Sequence, residues 1–80
     1  MDTAMNSFDL LFEQWELAED AALRAEACLS RQLDAWCDGI GAAPGLRDIA
    51  EARRLRAGAR ELLRLLQSHL ASERQGAPLL

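Results

Sequence analysis

The chain has 80 residues, half of them hydrophobic, and a formal net charge of −4 at neutral pH. This length allows one domain at most, and it lies near the size at which a single hydrophobic core becomes marginal. A negative net charge argues against general affinity for nucleic acids or anionic membranes, because such binding depends mainly on positive potential.

Helix-favouring residues dominate the composition. Valine and tyrosine are absent, and the only β-branched residues are Thr3, Ile40 and Ile49. Few side chains therefore carry the χ1 restriction that favours strands. All nine basic residues are arginine, a bias typical of a GC-rich genome. The composition predicts an all-α protein.

The first predicted helix covers about residues 7–38. Asn6 or Ser7 can cap its N-terminus, and Asp9 suits the positive end of the helix dipole. Apolar residues recur at spacings of three and four, which places them on one stripe of the helix. This core stripe consists of Phe8, Leu11, Phe12, Trp15, Ala18, Ala22, Ala25, Leu29, Leu33 and Trp36.

A second apolar line follows the same helix about a third of a turn from the core stripe. Its members are Leu10, Leu17, Ala21, Cys28 and Ala35. Two apolar lines on one helix are typical of a bundle in which the helix has two neighbours.

Glycines mark a turn over residues 39–45. Gly39 suits the left-handed position that follows the end of a helix. Ile40 and Leu46 flank the turn, and we expect them to fold over the end of the core.

The second predicted helix covers about residues 46–73 and is followed by a loose tail, residues 74–80, that contains Gly76 and Pro78. Its core stripe consists of Ile49, Ala52, Leu55, Ala59, Leu62, Leu63, Leu66 and Leu70. Gly58 interrupts this helix at a cost of about 1 kcal/mol relative to alanine, so it either permits close helix approach or is tolerated.

A short turn between two long helices predicts an antiparallel two-helix hairpin as the single domain of residues 1–80. Two helices that touch along one seam leave much of each stripe in water, so something else has to cover it. A second copy is the simplest cover, because most soluble oligomers are two-fold symmetric. The expected assembly is a homodimeric four-helix bundle, with a different protein as the alternative partner.

The charges segregate into two ladders of like sign. The acidic ladder is Asp9, Glu13, Glu16 and Asp20, and the arginine ladder is Arg53, Arg56, Arg60 and Arg64. We expect each ladder to lie opposite its core stripe. Most of the arginine ladder should lie level with residues 23–30, where Glu26 is the only acid, so one hairpin should not satisfy both ladders. Like charges at (i, i+4) are mildly unfavourable, which indicates a partner of opposite charge such as the acidic ladder of another copy; the alternative is two solvated faces.

Three aromatic residues, Phe8, Phe12 and Trp15, are placed at the open end of the predicted hairpin. They suit either core and homodimer packing or a docking patch, since buried aromatic residues dominate interface hot spots. Together with Leu10, Leu17, Ala21 and Cys28 they form the predicted interface.

No pattern of catalytic, metal-binding or cofactor-binding residues is present. His69 is the only histidine, and Glu73 four residues later makes at most two metal ligands. Cys28 and Cys37 are too far apart on one helix for a disulfide and lack the C-x-x-C spacing. We expect no enzyme activity and no cofactor, and the absence of a secretory or membrane-spanning segment predicts a cytoplasmic protein.

These observations favour a small protein–protein interaction module that self-associates. In length, hairpin layout and acidity the chain resembles the small two-helix co-chaperones of bacterial type III secretion, which implies a heterologous protein partner as an alternative. In architecture it is also similar to the RNA-binding hairpin dimers of plasmid copy control, which implies a nucleic-acid-binding regulator that uses the arginine ladder. The acidity of the first helix makes nucleic acid the less expected partner.

Overall fold

The computed structural model describes the backbone of residues 7–76 and the side chains of residues 7–72. Two antiparallel α-helices of 31 residues each, α1 (Ser7–Cys37) and α2 (Leu46–Gly76), pack along their length. The described residues contain no strand. The predicted all-α helical hairpin is therefore confirmed.

The second helix is longer than the sequence predicted. It runs to Gly76, because neither residue 74 nor residue 75 is glycine or proline, and Gly76 is the next glycine after Gly58. The expected tail therefore reduces to residues 77–80, which lie outside the described residues, as does Asn6, the alternative N-cap.

A glycine cap ends α1. Gly39 has a positive φ of 75°. Its N–H donates to the Trp36 carbonyl at 3.0 Å, and the next N–H, of Ile40, donates to the Ala35 carbonyl at 2.8 Å. This pair of reversed bonds is a Schellman motif, so the predicted role of Gly39 is confirmed.

The two apolar residues beside the turn do not cover the core. Ile40 is 73% exposed and Leu46 is 85% exposed, so the expectation that they fold over its end was wrong. The hydrogen bond to Ala35 holds Ile40 beyond the last turn of α1. Leu46 is the first residue of α2. Its side chain lies about 120° around the helix from that of the buried Ala52, which directs it away from α1.

The centre of the hairpin is built from alanine. The described residues with almost no exposed surface are Ala22, Ala52, Ala59 and Leu66, all on the predicted stripes. Such short side chains let two helices approach closely, since the distance between helix axes depends on the residues at the contact. Close approach of this kind buries little apolar area per residue.

Several residues at the edges of the predicted core stripes are less buried than the sequence predicted. Five of their members remain more than a third exposed, namely Phe12, Leu33, Trp36, Leu63 and Leu70. Near the turn Gln32 and Ala35 are half-buried instead. Ala18, Ala25 and Gln32 follow a seven-residue repeat, and the seam of a packed helix pair keeps that repeat while a straight 3.6-residue projection drifts away from it.

Candidate interaction surfaces

Arg56 joins the two helices through three hydrogen bonds. Its Nε and Nη2 donate to the two carboxylate oxygens of Glu26 at 2.9 and 2.8 Å, and its Nη1 donates to Glu19 Oε1 at 2.7 Å. Only 20% of the Arg56 side chain is exposed. The paired contact with Glu26 is the fork geometry in which arginine binds carboxylates most specifically.

The position of Arg56 corrects the sequence prediction. Arg56 was expected opposite the core stripe and without sufficient acidic partners in the same hairpin, whereas it lies at the edge of the seam and binds two carboxylates of α1. Glu19 and Glu26 are two helical turns apart, so both reach the seam. Neither belongs to the acidic ladder, and the long arginine side chain spans the difference in level between them.

Arg56 and Glu26 shift each other's pKa values. The hydrogen bonds from Arg56 hold the pKa of Glu26 below its ordinary value of 4.5, against the opposing effect of partial burial, and the positive charge of Arg60 contributes in the same direction. The two carboxylates raise the pKa of Arg56. The Arg56–Glu26 pair is therefore ionised at neutral pH.

The other members of the arginine ladder behave differently from Arg56. Arg64 pairs with Glu61 on the same helix. Arg53 and Arg60 are exposed, and neither forms an ion pair with the residues that the structure describes. The ladder thus contains two cations without an ion pair among the described residues.

A groove lies beside Arg56 at the turn-side half of the hairpin. Its volume is about 520 Å³. Arg53, Arg56, Arg60 and Glu26 supply its polar rim, and its apolar lining comes from Leu29, Ile49, Ala52 and Ala57. We call it the arginine groove.

The acidic ladder does not meet this groove within one hairpin. Glu13, Glu16 and Asp20 are exposed on α1, and Asp20 pairs with Arg24 of the same helix at 2.8 Å. The ladder begins at Asp9, near the open end, whereas the groove lies toward the turn. The two surfaces are separate features of the molecule.

The second apolar line of α1 remains uncovered. Leu17 is 68% exposed, Leu10 and Cys28 are also exposed, and Ala21 is half-buried. A small groove of about 150 Å³ brings Cys28 together with Glu51 of α2, so these two residues share one face of the hairpin. Steps of seven residues along α2 place Gly58 and the partly exposed Leu65 on that face too.

We call this surface the open apolar face, which consists of Leu10, Leu17, Ala21, Cys28, Gly58 and Leu65. It lies on the side of the hairpin opposite the arginine groove. Leu29 borders both grooves. Glu26 lines the arginine groove and Cys28 lines the small groove, and two residues at about 100° each place them on nearly opposite sides of α1. The hairpin therefore has one largely apolar broad face and one that carries the arginine groove.

Aromatic rings close the open end of the hairpin. Phe8 contacts His69 of α2 with ring centroids 5.5 Å apart, and Phe12 lies 6.1 Å from Phe8 and 5.7 Å from Trp15. The indole N–H of Trp15 is buried and has no hydrogen-bond partner among the described residues. Phe8 and Trp15 thus contribute to packing within one hairpin, and a docking role for the partly exposed Phe12 stays a prediction.

The described residues contain no group of three or more histidine, cysteine or acidic side chains that could hold a metal ion. Neither described helix has a stretch long and apolar enough to cross a membrane. Comparison with protein-family models, curated proteins and solved structures finds no significant match. Function therefore has to be inferred from the chemistry of the two broad faces.

Proposed function

We propose that this chain is a small cytoplasmic protein–protein interaction module without catalytic activity, which self-associates through its open apolar face into a four-helix bundle of two hairpins. One observation carries the proposal. Among the described residues, only three alanines and one leucine are almost completely buried, while eleven large apolar side chains remain substantially exposed, including Leu10, Leu17 and Leu65 of the open apolar face. Exposed apolar surface on this scale is typical of an interaction site.

The open apolar face has the relief of a helix-packing surface. Ala21 and Gly58 are its small residues, and Leu17 and Leu65 provide bulk one and two helical turns closer to the open end. A Cβ added to Gly58 would meet no atom within 4 Å, so close packing inside one hairpin does not require this glycine. A glycine weakens a helix, and close approach of a second hairpin would explain why Gly58 occupies this position.

Charge also favours this face for contact between identical copies. Its ionic groups on α2 include Glu51 and Arg54, which already pair with each other at 2.7 Å. Two copies can therefore meet there with little like-charge repulsion. A two-fold dimer places the same patch on both sides of the interface, so each uncovered leucine is covered by its symmetry mate.

The free thiols suit the proposed compartment. Cys28 and Cys37 are both exposed and neither is in a disulfide. Unpaired cysteines persist in the reducing environment of the cytoplasm, whereas oxidising compartments convert accessible thiols to disulfides.

Sedimentation velocity tests self-association directly. The purified chain should sediment as a dimer at micromolar concentration, and Leu17→Glu should convert it to a helical monomer because the charge would enter the apolar contact. Leu46→Glu is the matched control, since Leu46 is equally apolar, more exposed and located at the turn. A well-folded monomeric wild-type protein, or equal effects of the two substitutions, would refute the proposal.

Thiol alkylation gives a second readout with an internal control. Cys28 lies on the open apolar face, and Cys37 lies at the end of α1 beside the turn. As the protein concentration rises, alkylation of Cys28 should slow relative to that of Cys37, because only Cys28 becomes covered. A constant ratio of the two rates in a dimeric sample would place the interface elsewhere.

A further inference from the structure

The arginine groove has the features of a docking site for a charged helix. Arg53 and Arg60, which form no ion pair with the described residues, stand on its rim, and four apolar residues also line it. Arg56 is held in place by two carboxylates, so this cluster carries a net charge of −1. Together with Arg53 and Arg60 the groove combines apolar surface with a net positive charge.

We propose that the arginine groove binds an acidic amphipathic helix of a partner protein. Arg53 and Arg60 are seven residues apart, which separates them by two helical turns, or about 10.5 Å along α2. A ligand helix that lies along the groove meets both when it carries carboxylates at positions i and i+7. Leu29 and Ile49 lie beyond Arg53 toward the turn, so they face apolar residues of the ligand one helical turn outside the carboxylate that meets Arg53.

A second copy of this chain does not fit the groove. Consider two copies related by a two-fold axis, with their groove faces in contact. In such a pair α1 of one copy lies over α2 of the other only when the turns of both hairpins are at the same end. The acidic ladder and the groove then remain about ten residues, or about 15 Å, out of register. Self-association through this face would continue as an open stack instead of closing as a dimer.

Nucleic acid also fits the groove less well than an acidic helix. Beside Glu19 and Glu26 the groove offers two further arginines, a number that matches two carboxylates better than a phosphate backbone with one charge per nucleotide. The described part of α2 offers no Phe, Tyr or Trp on which a base could stack. An apolar lining matches leucine side chains of a partner helix instead.

This inference goes beyond self-association, because the groove and the open apolar face lie on opposite sides of the hairpin. Substitution of Arg53 and Arg60 should leave the sedimentation of the protein unchanged. Substitution of Leu17 should leave the groove intact. Failure of one proposal can therefore be told from failure of the other.

The probe is a labelled synthetic helix of about 18 residues with two glutamates seven positions apart and leucines one helical turn outside each of them. Fluorescence anisotropy at physiological salt should give a Kd tighter than about 100 µM. A peptide of identical composition, reordered so that its glutamates lie on different faces, should bind at least about tenfold more weakly, since binding depends on the spacing of the carboxylates.

Charge reversal at the groove provides the decisive comparison. Arg53→Glu combined with Arg60→Glu should weaken peptide binding at least about tenfold, and the neutral pair Arg53→Gln with Arg60→Gln should weaken it less. Arg24→Glu with Arg31→Glu is the matched control, because these exposed arginines are also seven residues apart and the net charge changes equally. Circular dichroism establishes that each variant remains helical.

Three results would overturn the proposal. They are no binding of the glutamate peptide by the wild-type protein, equal losses in the groove and control pairs, and tighter binding of an RNA hairpin that the groove reversal abolishes. The second result would reduce the effect to overall charge, and the third would assign the groove to nucleic acid. A groove-specific loss with the peptide, and with no RNA binding, supports the acidic helix.

Discussion

Replacement of Leu66 by alanine tests whether the seam of the hairpin is located correctly. Leu66 is 4% exposed, and the other almost fully buried residues are alanines, so it supplies the largest side chain of the buried centre. Loss of three carbons removes about 2.4 kcal/mol of transfer free energy, at about 0.8 kcal/mol for each methylene group. A cavity would add to this cost, but only two helices surround the site, so their side chains can relax into the space. We expect a loss of about 2–3 kcal/mol in the free energy of unfolding.

Urea denaturation followed by far-UV circular dichroism measures this loss. A domain of this size has a total stability of about 4–12 kcal/mol and a urea m-value near 1 kcal/mol/M, so the midpoint should fall by about 2–3 M. All variants have to be compared at one protein concentration, because association contributes to stability. Leu70→Ala, at a half-exposed position, should cost about 1 kcal/mol or less. A loss below about 1 kcal/mol for Leu66→Ala, or equal losses for the two variants, would refute the assigned seam.

Two further predictions concern the ion-pair cluster and the glycines. Because Arg56 lowers the pKa of Glu26, their interaction stabilises the folded chain above the ordinary carboxyl value of 4.5 and is lost as the pH falls through the lower folded-state value. The difference in thermal midpoint between the wild type and Arg56→Met should therefore shrink from pH 7 to pH 3; a constant difference would contradict the cluster. In a Leu17→Glu background that prevents association, Gly39→Ala should cost about 1 kcal/mol at its positive φ, whereas Gly58→Ala should stabilise by about 1 kcal/mol in urea melts. Shifts of the same sign would show that one of the two glycines has been assigned the wrong environment.

Much of the hairpin could be predicted from local sequence signals. The glycine at position 39 follows a long amphipathic segment, and a left-handed cap there needs no information from the rest of the fold. Ala22, Ala52 and Ala59 lie at the centre of their stripes, so any reasonable phase of the helical period places them inside. These predictions were correct because each depends on one helix at a time.

The ion-pair cluster could not be predicted in the same way, because it depends on how two helices pack. The prediction put Arg56 opposite the core stripe, although four residues at about 100° each place it only about 40° from Ala52, near the edge of that stripe, where a small rotation decides between solvent and seam. The spacing of Glu19 and Glu26, seven residues apart beside the core stripe, was a signal that could have identified their partner. The predicted burial of residues at the edges of the stripes was wrong for a related reason. The seven-residue repeat of a packed helix pair becomes apparent only when both helices are considered.

The contacts between the helices close chain segments of very different length, and this has a consequence for folding kinetics. The contact of Arg56 with Glu26 closes 30 residues, whereas the contact of Phe8 with His69 closes 61. Each doubling of the closed segment adds about 0.6 kcal/mol of chain entropy, so assembly is favoured to start at the turn and to proceed toward the termini. The aromatic contact is then the last to form and the first to open. Hydrogen exchange at the backbone amides of α1 should accordingly quicken from the Arg56 level toward Phe8, which makes the termini the end at which the hairpin opens.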